Sequence, residues 1–172
     1  MTVITETMPA WCQHRYGGVD TVAREEVPVP SVGPDEVLLR LHATGLNNGD
    51  IRVMRGEPLL VRTAFGLRRP RQPIRGMDAA GTVVALGLGV TGHVLGDEVI
   101  AELSGGGLAP YAVVPASRLV PRPAGLDPLL AAALPVAGGT AWQVLEWAGM
   151  TSGHRVERTH EAGAGDGARG GD

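Results

Sequence analysis

The sequence predicts a mainly β domain with a few helices, and three observations carry that expectation. From Met8 to about Val120, short apolar segments alternate with turn signals, the pattern of a β-rich chain. The 172 residues include 26 glycines and 13 prolines but only three Trp, two Tyr and one Phe, so turns are frequent and the core is built from Val, Leu and Ala. After Leu126 the composition shifts to strong helix formers.

Each element has its own reason. Met8 to Arg15 and Val22 to Val29 read as strands, and Pro30 to Asp35 (Pro-Ser-Val-Gly-Pro-Asp) as a turn. In Val37 to Ala43, positions 37, 39, 41 and 43 are apolar; one strand face is core and the other carries Arg40 and His42 at the surface or rim. Asn47 to Arg55 suits a short helix, with Asn47 as its cap and Asp50 in the first turn, where a carboxylate is favoured. Gly56 and Pro58 end it. Residues 62 to 75 hold Arg62, Arg68, Arg69, Arg71 and Arg75 without periodicity, which predicts a solvated loop. A second β block follows in Ala79 to Leu86, Glu98 to Glu102 and Leu108 to Val114, ending at Pro121 to Gly125. Asp127 and Pro128 then open a helix through Leu134, and a further helix is expected from Thr140 to Gly149, where Thr140 and Gln143 have capping-box spacing.

Composition also excludes function classes. All 15 cationic residues are Arg, and against 18 acidic residues they leave a formal charge of −3, so charge does not suggest nucleic-acid binding. Cys12 is the only cysteine, which excludes an intramolecular disulfide and a Cys-rich zinc lobe. The N-terminus lacks the cationic start and apolar stretch of a secretory signal, and no run approaches the roughly 18 apolar residues of a membrane span. The expectation is a cytoplasmic protein with no membrane partner.

Two stretches match the dinucleotide fingerprint G-x-G-x-x-G: Gly87 to Gly92 and Gly165 to Gly170. The first leads into a turn and a strand, not the helix whose free N–H groups bind pyrophosphate; the second follows no apolar strand. Neither is expected to bind phosphate. His14, His42, His93, His154 and His160 lack the grouping of zinc ligands, and no Gly-x-Ser-x-Gly or Cys-His signature is present, which leaves Ser104 a loop serine.

Several stretches together carry a family resemblance. These are Gly33-Pro34-Asp35-Glu36-Val37-Leu38-Leu39-Arg40, Ala43-Thr44-Gly45-Leu46-Asn47-Asn48-Gly49-Asp50, and Gly76-Met77-Asp78-Ala79-Ala80-Gly81-Thr82-Val83 with Gly96-Asp97-Glu98-Val99. Gly107 to Pro115 and Ala131 to Trp142 follow in the same order. The chain resembles the N-terminal catalytic domain of the medium-chain dehydrogenase/reductase superfamily, and the resemblance implies a GroES-like, partly open β-barrel. Zinc-dependent members place Cys at the position of Asn47 and His at that of Met77. Asn and Met are poor substitutes for thiolate and imidazole. The sequence is therefore more similar to the zinc-independent, quinone-oxidoreductase-like branch.

That resemblance implies NADPH or NADH as cofactor, no zinc, and a small-molecule quinone, enone or carbonyl substrate; full-length relatives are homodimers. Asn47 and Thr140 would approach the nicotinamide, and Asp50 and Arg52 would line the cleft as catalytic candidates. Asn47, Asp50 and Thr140 also have structural reasons to be present, as helix-starting residues. The expected organisation is an extension over 1–8, the catalytic domain over 9–126, helices over 127–156 leading toward an absent Rossmann domain, and a disordered tail over 157–172. That tail contains no large apolar residue, and its break from the family pattern suggests a frameshift or premature end near residue 157. The chain alone is expected to be inactive. A non-catalytic GroES-like binding module is the alternative, and the coding DNA beyond Val156 would separate the two.

Overall fold

The computed structural model describes residues 6–155, so the expected tail and the second glycine fingerprint lie outside the described residues. Strands β1 (Thr7–Gln13) and β2 (Val22–Pro28) form an antiparallel pair in which Met8 opposes Val27 and Cys12 opposes Ala23. The larger sheet contains β3 (Glu36–Ala43), β4 (Asp78–Leu86), β5 (Glu98–Glu102), β6 (Tyr111–Pro115) and β7 (Leu119–Pro121) in the order β6-β3-β4-β5-β7, all antiparallel. Both sheets are open, and an isolated bridge between Cys12 and Ile74 joins β1 to the segment before β4. The described residues also form four α-helices, α1 (Asn48–Arg55), α2 (Val61–Phe65), α3 (Pro128–Ala131) and α4 (Pro135–Trp147), and two short 3-10 turns, Val19–Thr21 and Ala116–Arg118. This is the mainly β architecture with a few helices that the sequence predicts.

The core lies on one face of the large sheet. Val37, Leu39, Val83, Val99, Leu103 and Val114 are almost fully buried there with Ala79, Ala101 and Ala112. Small and branched residues fill it because the sequence supplies almost no aromatic ones. A second, smaller cluster packs Ala131 and Ala132 of the α3 region against Ala80. The close approach is possible because residue 45 is glycine: a Cβ there would lie 2.4 Å from the Ala132 carbonyl oxygen.

Gly87, the first glycine of the expected false fingerprint, also has a packing role. Its Cβ would lie 2.1 Å from the Gly33 carbonyl oxygen and 2.3 Å from that of Pro34, and Gly89 N–H donates to the Pro34 carbonyl at 2.8 Å. This stretch lets two turns touch, and the chain continues through Val94 into β5 without forming a helix.

Several boundaries differ from the sequence reading. The expected loop over 62–75 begins within α2, which is held by tertiary contacts: Tyr16 donates to the Gly66 carbonyl at 2.5 Å, and the Arg62 guanidinium lies over the Tyr16 ring at 4.7 Å. The same stretch ends in a buried residue, Arg75. β6 starts at Tyr111, after Pro110, whose nitrogen has no proton to donate to a ladder. β7, only three residues long, carried no periodic signal. In β3, Leu38 is buried along with Val37 and Leu39, so the clean two-faced division holds only for its second half.

The last helix shows the largest shift. α4 begins at Pro135, five residues before the expected start. Proline suits the first helical turn because its missing N–H would have no helical partner. Thr140 is therefore a helix-interior residue, not a cap, and its hydroxyl donates back to the Val136 carbonyl at 2.7 Å.

Candidate functional site

The site begins at the start of α1. Asn47 has extended backbone angles, its Oδ1 accepts from Gly49 N–H at 2.6 Å, and its own N–H donates to Asp50 Oδ2 at 2.9 Å. Asn47 is the cap that the sequence predicts, and the return bond to Asp50 makes it a reciprocal capping box. Gly56 closes the helix with φ of 64°.

The other end of the Asn47 amide points to a residue that sequence reasoning passed over. Asn47 Nδ2 donates to Asp78 Oδ2 at 2.8 Å, while Asp78 Oδ1 accepts from Val136 N–H in the first turn of α4 at 2.8 Å. Asp78 is only 1% exposed, and its carbonyl accepts from the Thr44 hydroxyl at 2.6 Å. A buried carboxylate is tolerable when its oxygens are hydrogen-bonded and a helix N-terminus faces it. One side chain thus fastens the cap of α1 to the start of α4. Asn47 and Thr140, the two expected cofactor contacts, are linked through Asp78 and Val136. Asp78 stands in the Gly76-Met77-Asp78 triplet that carries the resemblance, but its partners are distant in sequence and gave no local signal.

Beside this network is a cavity of about 650 Å³. Trp11, Val19, Val22, Leu46, Ile51, Met54 and Leu108 make its apolar wall, and Asn47, Asn48, Asp50 and Arg75 supply the polar groups. β1 positions two of them: Trp11 N–H donates to the Leu108 carbonyl at 3.0 Å, and Arg75 N–H donates to the Trp11 carbonyl at 3.2 Å. A mostly apolar pocket with a few convergent polar groups is the usual form of a small-molecule site.

The charged residues differ in their surroundings. Burial, and then the charge of Asp78, push the Asp50 carboxyl above its ordinary range, against the opposing effect of the Asn47 and Met77 amides. Burial likewise pushes the Arg75 guanidinium below its ordinary range, with Tyr16 and Asp50 opposing. Arg52 lies on the exposed side of α1 and does not line this cavity. Thr140 is exposed on α4 and does not line it either. Of the residues that the sequence places at the cleft, the structure brings Asn47 and Asp50 to this cavity and leaves Arg52 and Thr140 outside it, while Arg75, in the stretch that the sequence predicts as a solvated loop, lines it.

Metal-ligating groups do not converge among the described residues. His14 lies 3.0 Å from Glu25, His42 is 3.9 Å from Glu98, and His93 is 3.5 Å from Asp97, but no group of three or more His, Cys, Asp or Glu side chains forms. His42 instead shares Thr82 with Glu98, through a 2.7 Å hydrogen bond. At the two positions where the resemblance puts zinc ligands, the Asn47 amide is engaged at both ends and Met77 offers only a thioether.

Comparison with known proteins adds the family. Residues 33–124 match the model of the alcohol dehydrogenase GroES-like domain. The chain is 42% identical over 132 residues to a chloroplast envelope quinone oxidoreductase homolog from Arabidopsis thaliana, covering 75% of this chain and 39% of that protein. It is 32% identical over 170 residues to an NADPH-dependent alkenal/one oxidoreductase, chloroplastic, from the same plant, covering 93% of this chain and 42% of the relative. Among solved structures, the quinone oxidoreductase from Coxiella burnetii superimposes with a TM-score of 0.77 at 26% identity, over 86% of this chain and 47% of that one. The chain spans about two fifths of the length of these two curated relatives. The matched domain, the two open sheets and the stretches quoted above agree: the chain belongs to the alcohol dehydrogenase GroES-like domain family of the medium-chain dehydrogenases/reductases.

Proposed function

We propose that this chain provides the acceptor-binding part of a zinc-independent, NAD(P)H-dependent reductase of quinones, enones or related carbonyl compounds. The observation that carries the reading is the 650 Å³ cavity, whose apolar wall with Trp11 suits a flat conjugated ring and whose polar groups converge at Asn47, Asp50 and Arg75. The names of the relatives, a quinone oxidoreductase homolog and an alkenal/one oxidoreductase, support the same acceptor class.

The described residues do not fit a whole dinucleotide. No glycine-rich turn among them opens a helix, and the first-turn amides nearest the site are already used: Gly49 N–H by Asn47, Val136 N–H by the Asp78 carboxylate. A buried carboxylate at the start of α4 would also repel a phosphate there. Holding the cofactor phosphates therefore falls to a separate segment, and Thr140, exposed on α4, is the residue of this chain offered toward it. Reduction of a quinone or enone develops negative charge on its oxygen, and the contribution of this chain is to hold that oxygen and keep water from the ring. Asn47 and Asp50 serve by fixing the start of α1 along the cavity edge.

The test uses the full chain and 1,4-naphthoquinone. Saturable quenching of tryptophan fluorescence is expected, lost in Trp11→Phe, together with no NADPH or NADH oxidation by the chain alone. Absence of saturable quenching, or quenching that survives in Trp11→Phe, would remove the acceptor site from this cavity. Robust NADPH-dependent turnover by the chain alone would show that it holds its own cofactor.

A further inference from the structure

The cavity contains a charge that the network around Asp78 does not use. Arg75 is 8% exposed and lines the cavity with the apolar wall and with Asn47, Asn48 and Asp50, yet none of the ion pairs of the described residues includes it. Its Nε donates to the Pro73 carbonyl at 3.4 Å and its Nη2 to the Gln72 carbonyl; Nη1 has no protein acceptor among the described residues. Asp50, the acid on the cavity wall, accepts from the Asn47 backbone amide and forms no ion pair with Arg75, although each charge still favours the other. A guanidinium has five N–H donors in a rigid plane and stays charged in proteins. No Arg75 nitrogen is among the buried unpartnered atoms of the described residues, so its remaining N–H edge meets the open cavity, where an entering oxygen acceptor would replace water on a charged donor.

We propose that Arg75 is the specificity-determining residue of the cavity, and that its guanidinium hydrogen-bonds the carbonyl oxygen of a flat, conjugated acceptor whose ring lies against Trp11 and Leu108. The assignment rests on the acceptor reading above and adds the group that recognises the oxygen. It explains how a cavity with so apolar a wall would favour a quinone or enone over a hydrocarbon of the same shape. Arg75 is also tied to that wall, because its backbone N–H donates to the Trp11 carbonyl at 3.2 Å.

Equilibrium dialysis of the full chain against 1,4-naphthoquinone and against naphthalene tests this. The two probes share a ring system, and only the first carries oxygens. An apolar cavity without a donor would bind naphthalene the more tightly, because carbonyl groups lose water on entry. The wild type is expected to prefer the quinone. Arg75→Met should weaken quinone binding roughly tenfold or more, the effect of losing one hydrogen bond from a charged donor, and change naphthalene binding by less than about twofold. Arg75→Lys keeps the charge and should retain the preference in part, which covers the case in which Arg75→Met does not fold. Equal weakening of both probes would make Arg75 a wall residue and overturn the proposal. Naphthalene bound as tightly as the quinone by the wild type would overturn it while leaving the cavity reading intact. If neither probe binds the wild type, the cavity reading fails and the assignment of Arg75 fails with it.

Discussion

The five-stranded sheet and helix α4 use apolar residues in opposite ways. In the sheet, Val37, Leu39, Val83, Val99 and Val114 are each 1% exposed or less. In α4, Trp142, Val144 and Trp147 are more than half exposed, and no residue of the helix is buried. The sheet thus draws its stability from burial, at about 25 cal/mol per Å² of apolar surface removed from water. α4 draws little from that source. Its attachment depends on the Asp78 carboxylate at Val136 and on the short α3 segment before it. A hydrophobic pattern alone therefore does not say whether a segment belongs to the core; the partners across the fold decide it.

The contrast can be broken by a pair of substitutions measured by urea unfolding. Leu39→Ala should cost about 2–5 kcal/mol, the usual range for a buried leucine. Val144→Ala should lie within about 0.5 kcal/mol of the wild type. A Val144→Ala loss approaching that of Leu39→Ala would mean that α4 contributes to the core after all.

Asp78→Ala sharpens the comparison from the other side. It leaves Asn47 Nδ2 and Val136 N–H without their acceptor, at a cost of about 1–3 kcal/mol. Hydrogen exchange should accelerate at the first amides of α4, while β3 and β4 amides keep their protection. Uniform acceleration across the sheet would show that the carboxylate supports the whole fold and not the helix junction.

A small, pH-dependent effect belongs to the sheet's rim. The Thr82 hydroxyl, against the effect of burial and with help from Arg122, holds the Glu98 carboxyl below its ordinary range. A carboxyl lowered on folding stabilises the protein above its ordinary titration range, and that contribution is lost as pH falls through the folded value. Glu98→Gln should therefore be less stable than the wild type at pH 7 and converge with it in acid. The gap should be under about 1 kcal/mol, because the Glu98 side chain is 40% exposed and solvent screens it. A gap that persists at low pH would assign the effect to packing.

Much of this fold was legible because its signals are local. Alternation marked β1, β2 and β3, glycines and prolines marked the turns, and Asn47 with Asp50 announced the cap of α1. The misses share a different origin. α2 is held by Tyr16, 50 residues before its closing glycine, and α4 is capped from Asp78, 58 residues before Val136. Pro135 was available as a start signal, but the Thr140–Gln143 spacing competed with it and is an accident of sequence. Arg75 illustrates the same limit in the site. Among several loop arginines nothing local distinguishes the one that tertiary structure buries.

Gly45 has an architectural consequence. The Ala132 carbonyl oxygen occupies the space a side chain would need at position 45, so backbone meets backbone there. The spacing between the α3 region and the loop entering α1 is consequently set by main-chain atoms, which vary far less than side chains do. That contact acts as a ruler: substitutions in the surrounding wall can retune the shape of the cavity, while the distance between the two supports of the site stays the same.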